Sequence, residues 1–530
     1  MLGLMQQRQL ALPMIFHRME EVFPESTINF VRDGRVLTTS YSAFSHDVRK
    51  VVSAMFDLVR EPGARVATLC ANTYEHLLLY YAVPCAGLVL HTVNHRLSKD
   101  QIRFILADAG ARVLVIDSDV ISELPSPEEI PAIEKIVIIG DIRYADDPRV
   151  IPFSDLLSAA SQMGDFVVED ENQAASICYT SGTTGLPKGV VYSHRSIVLV
   201  ALMSMSADVF GICASDVVMP IVPMFHANAW GLPYAAAFAG SDLVLPGHHL
   251  TSTELVHLME SRRVSVAAAV ATVWRDMLPH ASGRDWHNLR RLLTGGGPLP
   301  VSLSRAWLEA TGRILNNSWG MTELGPIGTV ARLSVKQHDA PDEQRLQKLS
   351  QPGYPAPLVR LRIGDELDTS GTVGELQAAG PTVASGYIGA VGRDRFSEDG
   401  WLRTGDLAEF DSQGELRITD RLKDVIKSGG EWISSIDLEN MIMEHPAVAE
   451  AAVIAVKHER WDERPVAFVV LQPQADASLE DLIKYLQLQL AKFWIPDRII
   501  VRDDLPRTST GKISKSALRE HYDELVREQS

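Results

Sequence analysis

Short apolar runs alternate along this chain with longer stretches whose apolar positions recur every three or four residues. Runs at 64–70, 88–93, 112–116, 135–139, 175–180, 217–222, 242–245, 264–270 and 291–294 are dominated by Val, Ile, Leu and Ala and read as strands. Between them, 76–87, 99–109 and 252–262 carry the helical period. Strand–helix alternation on this scale predicts layered α/β sheets with helices packed on their faces. After about Gly353 the texture changes, and short strand-like pieces with Gly-rich turns dominate up to Asp420. The remainder reads as a small α+β unit with strands at 448–456, 466–471 and 498–501 and helices at 437–444, 479–490 and 515–528. The boundary between the two textures falls at 420–424. No internal repeat or low-complexity segment interrupts the pattern.

Size and charge narrow the function classes. A chain of 530 residues exceeds one hydrophobic core, so two or more domains are expected. Apolar content of 46% and charged content of 22% are those of an ordinary globular enzyme. The net charge of −17 excludes a general nucleic-acid binder. An acidic protein that handles an anionic ligand must build positive charge locally, so grouped Lys and Arg should mark its site. Cys70, Cys85, Cys178 and Cys213 lack metal-ligand spacing and lie in apolar stretches, so buried free thiols and a reducing, cytoplasmic compartment are expected. Nothing at the N-terminus reads as a signal peptide. Residues 196–253 contain no Lys or Arg, but Asp208, Asp216 and Pro220 break the run before the ~18–20 apolar residues that a membrane span needs. A buried core or an apolar pocket explains that stretch better.

The chemistry is concentrated in a few short segments. Residues 179–189 read YTSGTTGLPKG. Glycines let a backbone turn tightly and point N–H groups inward, Ser and Thr add hydroxyl donors, and Lys188 adds a point charge. Together they make a cradle for a polyphosphate. This is not a P-loop, because Gly182 and Gly185 stand too close together and Gly189 follows the lysine. The cradle is expected between a strand and a helix. Gly295, Gly296, Gly297 and Pro298 form a second Gly-rich turn after a strand. Residues 319–323 read WGMTE after a strand-like run at 313–317, 401–406 read WLRTGD, 421–434 read RLKDVIKSGGEWIS and 506–513 read PRTSTGKI. Arg421, Lys423 and Lys427 are the local cationic group that the overall acidity calls for. Pro223, Met224, Phe225 and His226 end another apolar run. Small residues follow at 229–240, which fits either a channel beside a helix or close helix packing.

These segments, in this order and across nearly the whole chain, resemble the AMP-forming adenylating enzymes: acyl-CoA synthetases, firefly luciferase and the adenylation domains of peptide synthetases. The medium- and long-chain fatty acyl-CoA synthetases are the nearest group. The resemblance implies a large N-terminal domain over 1–420, with layered α/β sheets and a β-rich subdomain. It implies a hinge at 421–424 and a small mobile α+β domain over 425–530. It further implies ATP, Mg²⁺, coenzyme A and a carboxylic acid as reaction partners, with no nucleic acid and no integral membrane segment. A homodimer is compatible with it. By the same resemblance Thr180, Ser181, Gly182, Thr183, Thr184, Gly185 and Lys188 cradle the phosphates. Gly295, Gly296, Gly297, Pro298, Ser318, Trp319, Gly320, Met321 and Thr322 border the nucleotide, with the Trp319 ring on adenine where relatives often carry tyrosine. Asp406 and Arg421 hold the ribose, while Thr180 and Glu323 hold the metal. His226, Ala227, Trp230, Gly296, Gly320 and Met321 surround the acid. Lys512, with His226, Thr322 and Glu323, acts in catalysis. Lys423 is the hinge, Lys427 contacts nucleotide or thiol in a second conformation, and Gly429 and Gly430 border coenzyme A. The implied reaction joins a carboxylate to the α-phosphate of ATP and then transfers the acyl group to the thiol. Ligases for aryl, short thioether or terpenoid acids and an oxidative luciferase share every nucleotide motif, and a non-catalytic nucleotide-binding regulator could share the fold. The lack of basic residues over 196–253 favours an acid with an apolar, uncharged tail, because an unpaired buried charge is costly.

Overall fold

Two strand-rich layers carry the bulk of the chain. The computed structural model describes all residues except 2, 143–145, 160–165, 167, 181–185, 249, 367–372, 430, 473–478, 509–511 and 529–530. One sheet orders its strands Val150–Pro152, Lys135–Ile139, Ala111–Asp117, Arg65–Leu69, Val89–Thr92, Ala174–Tyr179 and Gly189–Ser193. All neighbours in it are parallel except the final hairpin pair. The second sheet runs Tyr354–Pro355, Ile327–Val330, Leu315–Gly320, Arg291–Gly295, Val266–Ala269, Val217–Pro220, Asp242–Leu245, Thr27–Arg32 and Arg35–Ser40. The central strands are buried on both faces, which is why they read as continuous apolar runs.

The helix Tyr74–Cys85 is apolar all round and buried along its length, as a helix between layers must be. Its tyrosines reach across to the second layer. The Tyr81 hydroxyl donates to the Pro233 carbonyl at 3.0 Å, and that of Tyr80 donates to the Met224 carbonyl. The alternation therefore specifies mixed α/β layers, and the fold is the one expected. Two local expectations change, and one open alternative is decided. A strand, Gly189–Ser193, pairs antiparallel with Ala174–Tyr179 and stands before the helix His194–Met205, so the expected cradle connects two strands rather than a strand and a helix. Cys213 is exposed, its thiol beside Ser215 and Asp216, whereas Cys70, Cys85 and Cys178 are buried. The small residues of the helix Leu232–Ala239 are buried and packed with the helices His194–Met205 and Leu12–Val22, so they serve close packing rather than a channel. No helix of the described residues is long and apolar enough to cross a membrane.

The β-rich stretch is a four-stranded antiparallel sheet of Arg360–Glu366, Gly374–Ala379, Leu402–Phe410 and Leu416–Arg421. Its last strand ends at Arg421, and the first strand of the small C-terminal sheet, Ile426–Ser428, begins after one tight turn. In that turn the Asp424 and Val425 amides both donate to the Arg421 carbonyl, at 2.9 and 3.0 Å. Polar contacts brace the small unit against the strand it leaves. Asp420 accepts from the amide and hydroxyl of Ser435, at 2.6 and 2.9 Å. Burial pushes its carboxyl up to about 6 against the pull of Lys515. Arg519 reaches Asp424 at 2.5 Å. The small unit has its own apolar core around Ile426, Ile433, Leu438, Val453 and Val469, so it is held to the large unit by polar groups rather than by a shared core.

Candidate active site

The strand Arg291–Gly295 is held from behind by Trp274, whose indole N–H donates to the Leu293 carbonyl at 3.1 Å. Trp307 packs edge-on against that ring and donates to the Trp274 carbonyl at 2.9 Å. The strand delivers buried Gly295 and half-buried Gly296 to the place where Lys512 lies. At Gly295 a side chain would meet the carbonyl and hydroxyl of Ser318 at 2.9 Å. Gly296 has φ +84, and a Cβ there would sit 3.2 Å from Cε of Lys512. Bare backbone at 296 leaves uncrowded room for that lysine, carried on the small C-terminal unit, at the end of the strand.

The neighbouring strand Leu315–Gly320 supplies the next groups. Gly320 packs so tightly on the Pro326 carbonyl that a Cβ would stand 1.9 Å from its oxygen, and the chain then turns through Thr322–Leu324. Trp319 lies over Gly328, and its indole N–H donates to Oδ2 of Asp406 at 2.8 Å. Arg421 takes the other oxygen of Asp406 at 3.1 Å. Glu323 is buried and accepts from the Tyr387 hydroxyl at 2.7 Å through Oε1. The Tyr192 hydroxyl donates to the Thr322 carbonyl at 2.7 Å. The Lys188 ammonium stands 5.4 Å over the Tyr387 ring, and the Lys188 carbonyl accepts from the Thr180 amide at 3.0 Å.

His226 ends the segment after Val217–Pro220 and opens a turn of unusual hand. Ala227, Asn228, Ala229 and Trp230 have φ between +44 and +58, followed by Gly231 at +74. A left-handed turn costs about 1–2 kcal/mol per non-glycine residue, so the surroundings must hold it. The buried Asn228 side chain does so by accepting from Ser176 at 3.2 Å and from Cys178 at 3.4 Å. The turn places Cη2 of the Trp230 ring 3.3 Å from the Cβ position of Gly295.

Electrostatics tie these groups together. Burial first, and then the Arg421 charge, push the Lys512 amine down to about 8 against the opposite pull of Asp406 and Glu323. Burial, and then the Lys512 charge, push His226 down to about 4, so its imidazole is neutral at pH 7.

The structure thus brings Lys512, His226, Gly296, Glu323, Asp406 and Arg421 together, with Ser318, Trp319 and Trp230 around them. Gly297 and Pro298 are exposed, and Met321 is half-buried beside Leu324. Lys423 is exposed in the connecting turn. Lys427 lies over the Trp432 ring and Gly429 beneath Trp461, so both make their contacts within the small unit and away from the Lys512 group. Ser181, Gly182, Thr183, Thr184, Gly185 and Gly430 lie outside the described residues. Tyr387, Tyr192 and Asn228 were not legible in the sequence. Each acts through a contact made far along the chain, and none has local spacing to announce it.

The arrangement sets one lysine beside two carboxylates and an arginine, against the bare backbone of Gly296. The AMP-binding enzyme family matches residues 16–388, and the AMP-binding enzyme C-terminal domain matches 437–512. The chain is 38% identical to the 3-methylmercaptopropionyl-CoA ligase of Ruegeria lacuscaerulensis, over 98% of this chain and 99% of that one. It is 40% identical to the long-chain-fatty-acid–CoA ligase of Thermus thermophilus, over 94% and 93%. Among solved structures, ATP-bound MatB from Rhodopseudomonas palustris superposes with a TM-score of 0.82 at 26% identity, covering 97% of this chain and 99% of that one.

The field at Lys512 can be read directly. Competitive acetylation of the amine against pH should show a midpoint near 8. Asp406→Asn should lower the midpoint and Arg421→Ala should raise it. Shifts of the same sign in both variants would contradict the assigned field.

Proposed function

The chain belongs to the AMP-binding enzyme family, and from that membership we propose that it is an AMP-forming acid–CoA ligase acting on an acid with an apolar tail, of the medium- to long-chain fatty acid class. The observation that carries the adenylating part is Lys512. A small C-terminal unit places its amine over Gly296, inside the field of Asp406, Glu323 and Arg421.

In the first half-reaction a carboxylate oxygen attacks the α-phosphorus of ATP, the bond to pyrophosphate breaks, and acyl-AMP forms. An anion must approach a polyanion, so oriented cations and amide donors have to meet the developing charge. Lys512 supplies one cation there and Lys188 another at the phosphate cradle. Asp406, fixed by Trp319 and Arg421, accepts from the ribose hydroxyls. His226, uncharged at neutral pH, borders the acid without competing as a second cation. The donor set of Glu323 carboxylate and Thr180 hydroxyl suits a hard oxygen-seeking cation, so these residues would hold Mg²⁺. When bound, that ion would neutralise phosphate charge. In the second half the CoA thiol attacks the acyl carbon and AMP leaves. Rotation of the small domain about Lys423 withdraws Lys512 and turns the face bearing Lys427 and Gly429 toward the adenylate.

The absence of Lys and Arg over 196–253 supports an uncharged tail. A short thioether acid is the second reading. It is favoured by the Ruegeria relative's activity and by the close packing of the helix Leu232–Ala239, which leaves Trp230 against Gly295.

CoA-dependent AMP formation over acids from C4 to C18, with aryl and thioether acids included, tests the substrate class. Each buried methylene is worth about 0.8 kcal/mol, so kcat/KM should rise nearly fourfold per carbon until the pocket ends. A maximum at a short thioether or aryl acid would replace the fatty acid reading and leave the adenylating one standing. Lys512→Ala should slow acyl-AMP formation by roughly 10²–10³ while thioester formation from synthetic acyl-AMP persists. An equal loss in both halves would remove this role. Lys423→Pro should preserve acyl-AMP formation and cripple acyl transfer, because proline fixes φ at the pivot. Normal rates in both halves would move the hinge elsewhere.

A further inference from the structure

We infer that Arg275, Glu450 and Arg507 form a clasp that positions Lys512 over Gly296 and that must open for the second half-reaction. This inference rests on the two-step ligase reading above. Glu450 lies on the strand Val448–His458 of the small unit, with its side chain only 7% exposed. Two guanidinium groups share this buried carboxylate. Arg507 donates to both oxygens, at 2.7 and 2.9 Å, and Arg275 of the large unit donates to Oε1.

Both ends of the clasp lead straight to the catalytic lysine. Arg507 forms a bridge with Ile513, the Thr508 amide donates to the Lys512 carbonyl at 2.6 Å, and the Lys512 amide donates to the Thr508 hydroxyl at 3.3 Å. Arg507 is therefore the base of the hairpin that presents Lys512. On the other side Arg275 sits in the helix Ala271–Met277, whose N-cap Val270 has Cγ1 3.6 Å from the Cβ position of Gly296. Trp274, next to Arg275, is the ring that anchors the strand ending in Gly295. Glu450 thus links the lysine's own loop to the element beneath its target.

The geometry also gives the clasp a direction. The Arg507–Glu450 contact lies within the small unit and survives any rotation of that unit. The Arg275–Glu450 contact crosses between units and is lost when the small unit turns. Its loss leaves Glu450 paired by Arg507, so the carboxylate is never stranded as an unpaired buried charge. Arg275 therefore biases the population toward the arrangement that forms acyl-AMP, without touching substrate. It is a positioning residue.

The test measures the two half-reactions separately in the full-length protein, by ATP–pyrophosphate exchange and by thioester formation from synthetic acyl-AMP and CoA. Arg275→Ala should slow exchange about tenfold, a typical coupling between sites, through kcat with little change in KM for ATP. Thioester formation should be unchanged or faster, and Arg275→Lys should recover part of the exchange rate. Glu450→Gln, which weakens both arginine contacts, should slow exchange further. Arg275→Gln stands in if the alanine variant does not fold. Exchange at the wild-type rate, or equal slowing of both halves at an unchanged thermal midpoint, would overturn the clasp. A wild-type protein that exchanges pyrophosphate with no acid would instead overturn the ligase reading itself.

Discussion

A single cation carried on one unit and used inside another governs this structure. Lys512 lies against bare backbone at residue 296, where a side chain would crowd its Cε at 3.2 Å, and Asp406 and Glu323 oppose the cost of burying its charge. Water would solvate that ammonium better than this site does, so an amine that titrates near 8 is poised for a ligand that brings negative charge. The surrounding elements serve this placement. Trp274 and Trp307 stiffen the strand beneath the lysine, and Trp319 and Arg421 hold Asp406 in a fixed orientation.

The connection between the two units follows the same logic. An apolar interface would lock them, whereas polar groups hold firmly and release into water at small cost. Asp420, Ser435, Lys515 and Asp424 surround the linking turn with such groups, and Glu450 supplies another contact at a distance from it. The large unit spends its rigidity differently. The left-handed turn from Ala227 to Trp230 is strained in isolation and persists because Asn228 is tied to Ser176 and Cys178. That tie joins the strand leading into the phosphate cradle to the wall proposed for the acid.

Much of this was legible along the chain. Apolar runs marked the central strands because a strand buried on both faces has no polar alternation to hide it. Arg291–Gly295, Asp242–Leu245 and Lys135–Ile139 were read to within a residue. The hairpin partner Gly189–Ser193 was not, because it begins on the last glycine of a segment that reads as a loop, and the edge strand Arg35–Ser40 was not, because a strand with no buried residue carries a weak pattern. Family membership was also written in the order and spacing of short motifs. Glycines at 295 and 320 are demanded by close backbone approach and Gly296 is favoured by its φ of +84, so each leaves a trace in the sequence.

What only the tertiary structure decided is who meets whom. Nothing local says that Tyr387 holds Glu323, that Trp319 aims its N–H at Asp406, or that Arg275 and Arg507 share Glu450. Nor could the sequence choose between a channel and close packing for the small residues after His226, because alanine suits both. Composition and period record how each segment buries its own surface. Partnerships between segments hundreds of residues apart depend on how the layers and the two units come together, and that is settled only when the whole chain is folded.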